Sequence, residues 1–155
     1  MGGHPFVIRV YGIFIDPEKG VFVSDEFIHG KAYTKFPGGG MNFGEGTVEC
    51  LLREMMEETQ QEFVVDEHFY TTDFFVRSAF DENAQVVSVY YLMKPAGDLK
   101  VKIAETVFDF AERIHEAQSF RFIPLNKISA EDFTLPIDRK VAELIVWRFH
   151  RPDQP

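Results

Sequence analysis

Cysteine is almost absent. Cys50 is the one thiol in 155 residues, so no internal disulfide can form. Tryptophan is as scarce, with Trp147 alone. Basic residues are few: 16 Lys and Arg stand against 25 Asp and Glu, a formal net charge of −9. A phosphate backbone needs a basic face, so this balance excludes long nucleic acid as the expected partner. An anionic small molecule stays admissible if cations come to its site. No apolar run reaches membrane-spanning length, and MGGHPF has none of the features of a signal peptide. The expectation is a cytoplasmic, reducing location and no membrane partner. Repeats, low-complexity blocks and linkers are missing as well. With 45% hydrophobic and 26% charged residues, the chain suits one domain over 1–155 with a frayed tail from about 150.

What is abundant is phenylalanine, with seventeen residues, and strand-like pattern. FVIRVYGIFI, Phe6 to Ile15, reads as a buried strand, DPEKG as a turn, and VFVSDEFI as its hairpin partner. AYTKF is a short strand running into the turn Pro37-Gly38-Gly39-Gly40. Thr47 to Thr59 lacks Gly and Pro and carries apolar residues at helical spacing. FYTTDFFVRSAF and QVVSVYYLMK read as two strands joined by DENA. AETVFDFAERIHEA is either a helix or an ordered loop. SFRFIPL alternates like a strand, and LPIDRKVAELIVWRFH predicts a C-terminal helix whose core residues include Trp147. Phe74-Phe75 and Tyr90-Tyr91 are expected mainly in the core.

Residues Phe36 to Gln61, FPGGGMNFGEGTVECLLREMMEETQQ, hold five glutamates beside a glycine cluster. At 100° per residue, Val48, Leu51, Leu52, Met55 and Met56 share one broad helix face. Glu54, Glu57 and Glu58, at i, i+3 and i+4, share another. Three like charges there repel, and a hard divalent cation prefers the oxygens they supply. Gly38 to Gly40 let the backbone turn tightly and bring a bare carbonyl to the same place. Glu45 suits the helix N-terminus, and Arg53 can hold one of the glutamates. The competing reading is a solvated acidic face; the fixed spacing to the glycines and to Arg53 favours the metal.

This stretch resembles the box of the Nudix family, G-x5-E-x7-R-E-U-x-E-E-x-G-U, where U is a bulky aliphatic. Gly39 fills the first position, Glu45 the second and Arg53-Glu54 the R-E pair. Met55 takes the first U, and Glu57-Glu58 form the E-E pair. FPGG and Gly44-Glu45 match the usual flanks. Gln60 stands where Gly is expected and Gln61 where an aliphatic is expected. The resemblance implies an α+β fold, a mixed β-sheet between α-helices. It implies a hydrolase of a diphosphate bond in a nucleoside diphosphate-linked substrate, using Mg²⁺ or Mn²⁺. Carried over by position, Glu54, Glu57 and Glu58 with the Gly39 carbonyl are metal ligands, and Glu45 and Arg53 orient them. The base is a box glutamate or a later acid, for which Glu116 is the candidate, with an exposed acid at a helix end as the alternative.

Arg9, Lys35 and Arg77 are cations in or beside apolar strands, where an isolated charge is costly. They are candidate contacts for substrate phosphates; the alternative for each is a snorkelling strand-edge residue. His115 reads as a surface residue and Cys50 as packing. The expected partner is a small-molecule nucleotide, with a homodimer as the one protein assembly left open. No subfamily signature for a particular substrate is visible. Two other classes compete: a Nudix-fold binding or regulatory protein without catalysis, which would be expected to lose box glutamates, and a purely structural metal site. Because a non-glycine residue in left-handed conformation costs roughly 1 kcal/mol, the helix is expected to run past Gln60 or to exit differently.

Overall fold

A computed structural model describes residues 2–150; the expected frayed tail lies outside the described residues except for His150. In chain order the elements are β1 (Phe6–Ile13), β2 (Ile15–Asp16), β3 (Gly20–Ile28), β4 (Lys31–Lys35), β5 (Gly38–Gly40), α1 (Thr47–Thr59), β6 (Phe63–Thr71), β7 (Gln85–Pro95), β8 (Ala117–Ile123) and α2 (Pro136–Phe149). This is an α+β chain with mixed strand pairing. It divides into two compact units, one made of residues up to Ile13 and Pro37–Lys100, the other of Phe14–Phe36 and residues from Val101 onward.

The first unit is a four-stranded sheet in the order β5-β1-β7-β6, with α1 packed on β5, β1 and β6. β1 runs parallel to β7 and antiparallel to β5. Val86, Ser88 and Tyr90 alternate inward along β7, as residues of a half-buried strand do, whereas β1 is buried on both faces from Val10 to Ile13. Leu51 and Met55 of α1 are fully buried, each contributing about 1.5–3 kcal/mol of apolar burial. Glu49 Oε1 reaches back to the Gly46 N–H at 3.2 Å, the reciprocal half of a capping box.

The second unit is an antiparallel sheet, β2-β3-β4 with β8 on the other side of β3. Phe22 stacks on Phe120 at 5.1 Å and Phe36 on Phe133 at 4.5 Å. α2 starts at Pro136, whose fixed φ and missing N–H suit a first helical position.

Several expectations are corrected. FYTTDFFVRSAF is not one strand: β6 lies earlier and ends at Thr71, and beyond it only an isolated bridge joins Arg77 to Gln85. With the ladder ended, Phe74 and Phe75 are exposed rather than core. The polar DEH run within β6 masked the strand, which occupies the edge of its sheet. Trp147 is 65% exposed. The buried stripe of α2 is Ile137, Asp138, Val141, Ala142 and Ile145, and Trp147 falls about 200° around the helix from Ile145. In α1 the buried residues are Cys50, Leu51, Met55 and Thr59, while Val48, Leu52 and Met56 are exposed. AETVFDFAERIHEA is an irregular loop, with φ 54° at Phe108 and φ 70° at Glu116.

The helix exit is the clearest reversal. α1 ends at Thr59, and Gln60 is left-handed at φ 53°, ψ 32°. Local bonds offset the strain. The Gln60 N–H donates to the Met56 carbonyl at 2.9 Å, and its side-chain amide donates to the otherwise orphaned Glu57 carbonyl at 2.8 Å. Gln61, in the aliphatic position, is buried. It donates to the Asp98 carbonyl at 2.8 Å and accepts from the Lys100 N–H at 3.1 Å. Gln60→Gly should therefore change stability by less than about 1 kcal/mol, because strain relief and the lost bond nearly cancel. Gln60→Val keeps the strain and loses the bond, and should cost roughly 2 kcal/mol. Urea unfolding checks both; a Gly variant less stable than the Val variant would overturn this account.

Candidate active site

The box lies wholly in the first unit. β5 brings the glycines to the free edge of the sheet, and α1 runs back across them. Two ladder bonds flank Gly39, Gly12 N–H to the Pro37 carbonyl and Met41 N–H to the Ile8 carbonyl, both 2.9 Å. By antiparallel alternation, Gly39 exchanges its own bonds with its register partner Val10. The Gly38 and Gly40 carbonyls consequently turn the other way, and Gly40's accepts from Arg53 Nη2 at 3.0 Å. A Cβ on Gly39 would lie 2.6 Å from the Glu54 carboxyl carbon, so glycine alone leaves room for that carboxylate.

Arg53 is the hub. Its Nε and Nη2 donate to the two Glu45 oxygens at 2.9 and 2.7 Å, a bidentate fork. Its Nη1 donates to Glu54 and to Glu57, each at 3.1 Å. One guanidinium thus holds three carboxylates, where the sequence suggested one. Glu58 is half-buried on the same helix. Among the described residues, no three His, Cys, Asp or Glu side chains are drawn together closely enough to hold a metal ion; Arg53 stands among them instead. The donors nevertheless fit a hard divalent cation. They are all oxygen, they exceed the single guanidinium in charge, and the Gly39 hollow keeps one of them in place.

Glu45 also accepts from the Asn42 N–H at 2.7 Å. The Arg53 bonds, followed by that N–H, pull its carboxyl from an ordinary 4.5 down to about 2. The bonds to Glu45 in turn raise the Arg53 guanidinium above its ordinary range. Because the folded value of Glu45 lies below the unfolded one, the stability from this pair is complete above about pH 4.5. It is lost as pH falls toward 2. The unfolding midpoints of wild type and Glu45→Gln should differ at pH 6 and converge near pH 2. A constant difference across that window would exclude the linkage. Cys50 is fully buried, and burial first, then the Glu45 charge, pushes its thiol up to about 11. At neutral pH it is a packed thiol, not a nucleophile.

The remaining candidates separate. Arg9 pairs in register with Gly40, and its guanidinium nitrogen is 3.7 Å from where a Gly40 Cβ would stand; it belongs beside the box. Arg77, in the same unit, is bonded to the Glu82 carbonyl and lies over the Phe75 ring. Lys35 and Glu116 belong to the second unit. Lys35 ends the edge strand β4 but is buried and ion-paired to Glu26 at 2.7 Å, so it does not snorkel to solvent as the alternative had it. Glu116 is an exposed side chain on a left-handed turn rather than a helix end, its N–H fixed to the Phe27 carbonyl at 2.8 Å. His115 beside it accepts from the His29 N–H at 3.2 Å and stacks on that ring.

The NUDIX domain family model matches residues 5–145, and the chain belongs to the Nudix family. In fold it is similar to the E. coli ORF135 protein, at 19% identity over 97% of this chain and 96% of that one, with a TM-score of 0.67. It is similar also to a MutT protein from Methanosarcina mazei Go1, at 18% identity over 97% and 100% of the two chains, TM-score 0.67. An ADP-ribose pyrophosphatase from Streptococcus suis 89-1591 aligns at 13% identity over 96% of each chain, TM-score 0.59. Comparison with curated proteins gave no match. No described helix is long and apolar enough to cross a membrane.

Proposed function

We propose that the chain acts as a single Nudix domain and is a hydrolase of phosphoric anhydrides. It cleaves the diphosphate bond of a small nucleoside diphosphate-linked substrate in the cytoplasm, with Mg²⁺ or Mn²⁺. The observation that carries this reading is the binding of Glu45, Glu54 and Glu57 to one guanidinium, with Glu58 on the same helix and the Gly39 hollow shaped to Glu54. A cation-binding cluster on an otherwise acidic chain meets what a polyanionic substrate requires. The fold shared with an ADP-ribose pyrophosphatase and a MutT protein is in keeping with it.

Glu54, Glu57 and Glu58 hold the metal, together with a β5 carbonyl. Gly39 is the position implied by the box; the register supports its neighbour Gly38, whose carbonyl turns away from β1. When bound, the metal neutralises phosphate oxygens and lowers the pKa of a water. Glu57 and Glu54, now bonded to Arg53, would serve the metal, while the Glu45 fork would keep the guanidinium and the start of α1 fixed. Arg9 contacts a substrate phosphate. The proton of the attacking water goes to a carboxylate, for which the box glutamates and the later acid Glu116 are the candidates. Lys35 is ion-paired to Glu26 and Arg77 donates to the Glu82 backbone carbonyl, whereas Arg9 is the candidate that lies beside the box.

Hydrolysis of a nucleotide panel with and without Mg²⁺ is the test, with products analysed after reaction in ¹⁸O-labelled water. Label is expected on a phosphate of a nucleoside monophosphate, of its phosphorylated partner, or of pyrophosphate from a triphosphate. Metal-induced stabilisation without turnover on any nucleotide would reject the hydrolase reading. Activity confined to capped RNA would reject the small-substrate reading alone.

A further inference from the structure

The pairing of β1 with β5 sets two glycines opposite two long side chains. Arg9 is in register with Gly40, and Tyr11 with Gly38. Arg9 and Tyr11 stand two residues apart on one strand, so both side chains leave the same face of the sheet. Glycine has no side chain to compete for that face, and each of the two lies against its partner's backbone. A Cβ built on Gly38 would meet the Tyr11 ring at 3.0 Å, and one built on Gly40 would stand 3.7 Å from Arg9 Nη1.

Tyr11 is held from both sides. Its register partner on β7 is Tyr90, and the two rings lie 5.3 Å apart, tilted by 33°. Tyr11 is 2% exposed and Tyr90 fully buried, so the Tyr11 hydroxyl stands at a fixed point. A buried phenol needs a hydrogen-bond partner. Arg9 Nε donates to it at 2.5 Å, and the guanidinium carbon lies 5.6 Å from the centre of the same ring. The donor is charged, which makes the bond strong and directional. Phenylalanine would fill the same space; what tyrosine adds at this position is the hydroxyl.

An arginine side chain has many rotamers, and one that is not held loses that freedom when it captures an anion. With Nε anchored to a rigid partner, part of the loss is already taken in folding. Nη1 lies over Gly40, whose carbonyl accepts from Arg53. The sheet thus sets a second guanidinium beside the glutamate hub. We propose that Tyr11 is a positioning residue whose hydroxyl orients Arg9 toward a substrate phosphate. This rests on the reading that Arg9 contacts such a phosphate at the box.

The test is calorimetric titration of the full chain with methylenediphosphonate in the presence of Mg²⁺. This diphosphate analogue has a carbon bridge that water does not cleave, so the readout needs no turnover. Wild type should bind it saturably, Tyr11→Phe about tenfold more weakly, and Arg9→Ala at least as weakly as Tyr11→Phe. In the Arg9→Ala background, Tyr11→Phe should have no further effect. A Tyr11 that served packing alone would lower affinity by the same factor with or without Arg9, in step with a lowered unfolding midpoint. On a nucleotide that the chain hydrolyses, the same pattern is expected in KM, with kcat changed less than about twofold, because a phosphate held before and during reaction is uniform binding. Inactivity toward every nucleotide, with the expected binding pattern intact, would reject the hydrolase reading and leave the positioning role standing. Wild-type affinity in Tyr11→Phe, an equal loss in both backgrounds, or no saturable binding by wild type would overturn it.

Discussion

Glu57→Gln and Glu58→Gln should each lower turnover by about 10²–10⁴-fold while the protein stays folded. The expected split between activity and stability follows from where these carboxylates stand. Glu57 is an exposed side chain whose one strong partner is Arg53, at 3.1 Å. An exposed pair of this kind contributes about 0–1 kcal/mol, so its loss costs little stability. Arg53 meanwhile remains held by the Glu45 fork. Removing a negative charge from a crowded helix face also relieves repulsion, so a slightly raised Tm in the absence of metal agrees with the proposal. What the variants lose is a charged oxygen ligand, and Mg²⁺ titration by calorimetry should show weaker binding in step with the lost rate. Wild-type kcat in both variants would reject the assignment of the box glutamates.

Neighbouring glycines should separate folding from chemistry. Gly38→Ala is expected to destabilise the protein by about 3 kcal/mol. Gly38 has φ +140°, and its added Cβ would lie 2.1 Å from the Val10 carbonyl oxygen and 2.8 Å from Tyr11 Cα. Those are backbone atoms of β1 and cannot rotate away. Gly39→Ala meets the end of a side chain instead, the Glu54 carboxylate at 2.6 Å. That group can move, so the stability cost should be about 1 kcal/mol. The displacement moves a metal ligand, however, and a misplacement of about 1 Å costs on the order of 10²-fold in rate. Urea unfolding and steady-state rates on both variants check the pair. Full activity in Gly39→Ala would show that Glu54 is not held at a working position by that hollow.

Much of the site was legible because it is local in sequence. Thr47 to Thr59 reads as a helix from composition and apolar spacing, and α1 has those bounds. The i, i+3, i+4 spacing of Glu54, Glu57 and Glu58 is a consequence of helical geometry, and the distance from Gly39 to Arg53 is one tight turn plus two helical turns. α2 was legible for the same reason, through its early proline and its periodicity. Each of these features depends on residues within a few turns of one another.

What required the folded chain was every partner drawn from far along it. The parallel pairing of β1 with β7 joins residues nearly eighty positions apart, and no local pattern specifies it. Asp25 and Arg121 look like misplaced charges in VFVSDEF and SFRF; the register of β3 with β8 brings them together and makes their burial affordable. Lys35 looked like a cation available to phosphate until the β3–β4 register placed Glu26 beside it. Gln60 illustrates the limit most directly. Propensity assigns a cost to its left-handed backbone, but the bonds that offset it belong to the helix end and to the anchoring of Gln61 at Asp98 and Lys100. The chain's sequence by itself determined the two helices, the acidic balance and the spacing of the box. The tertiary structure decided which charges are neutralised and which face solvent, because those energies depend on groups that only long-range packing brings within hydrogen-bonding distance.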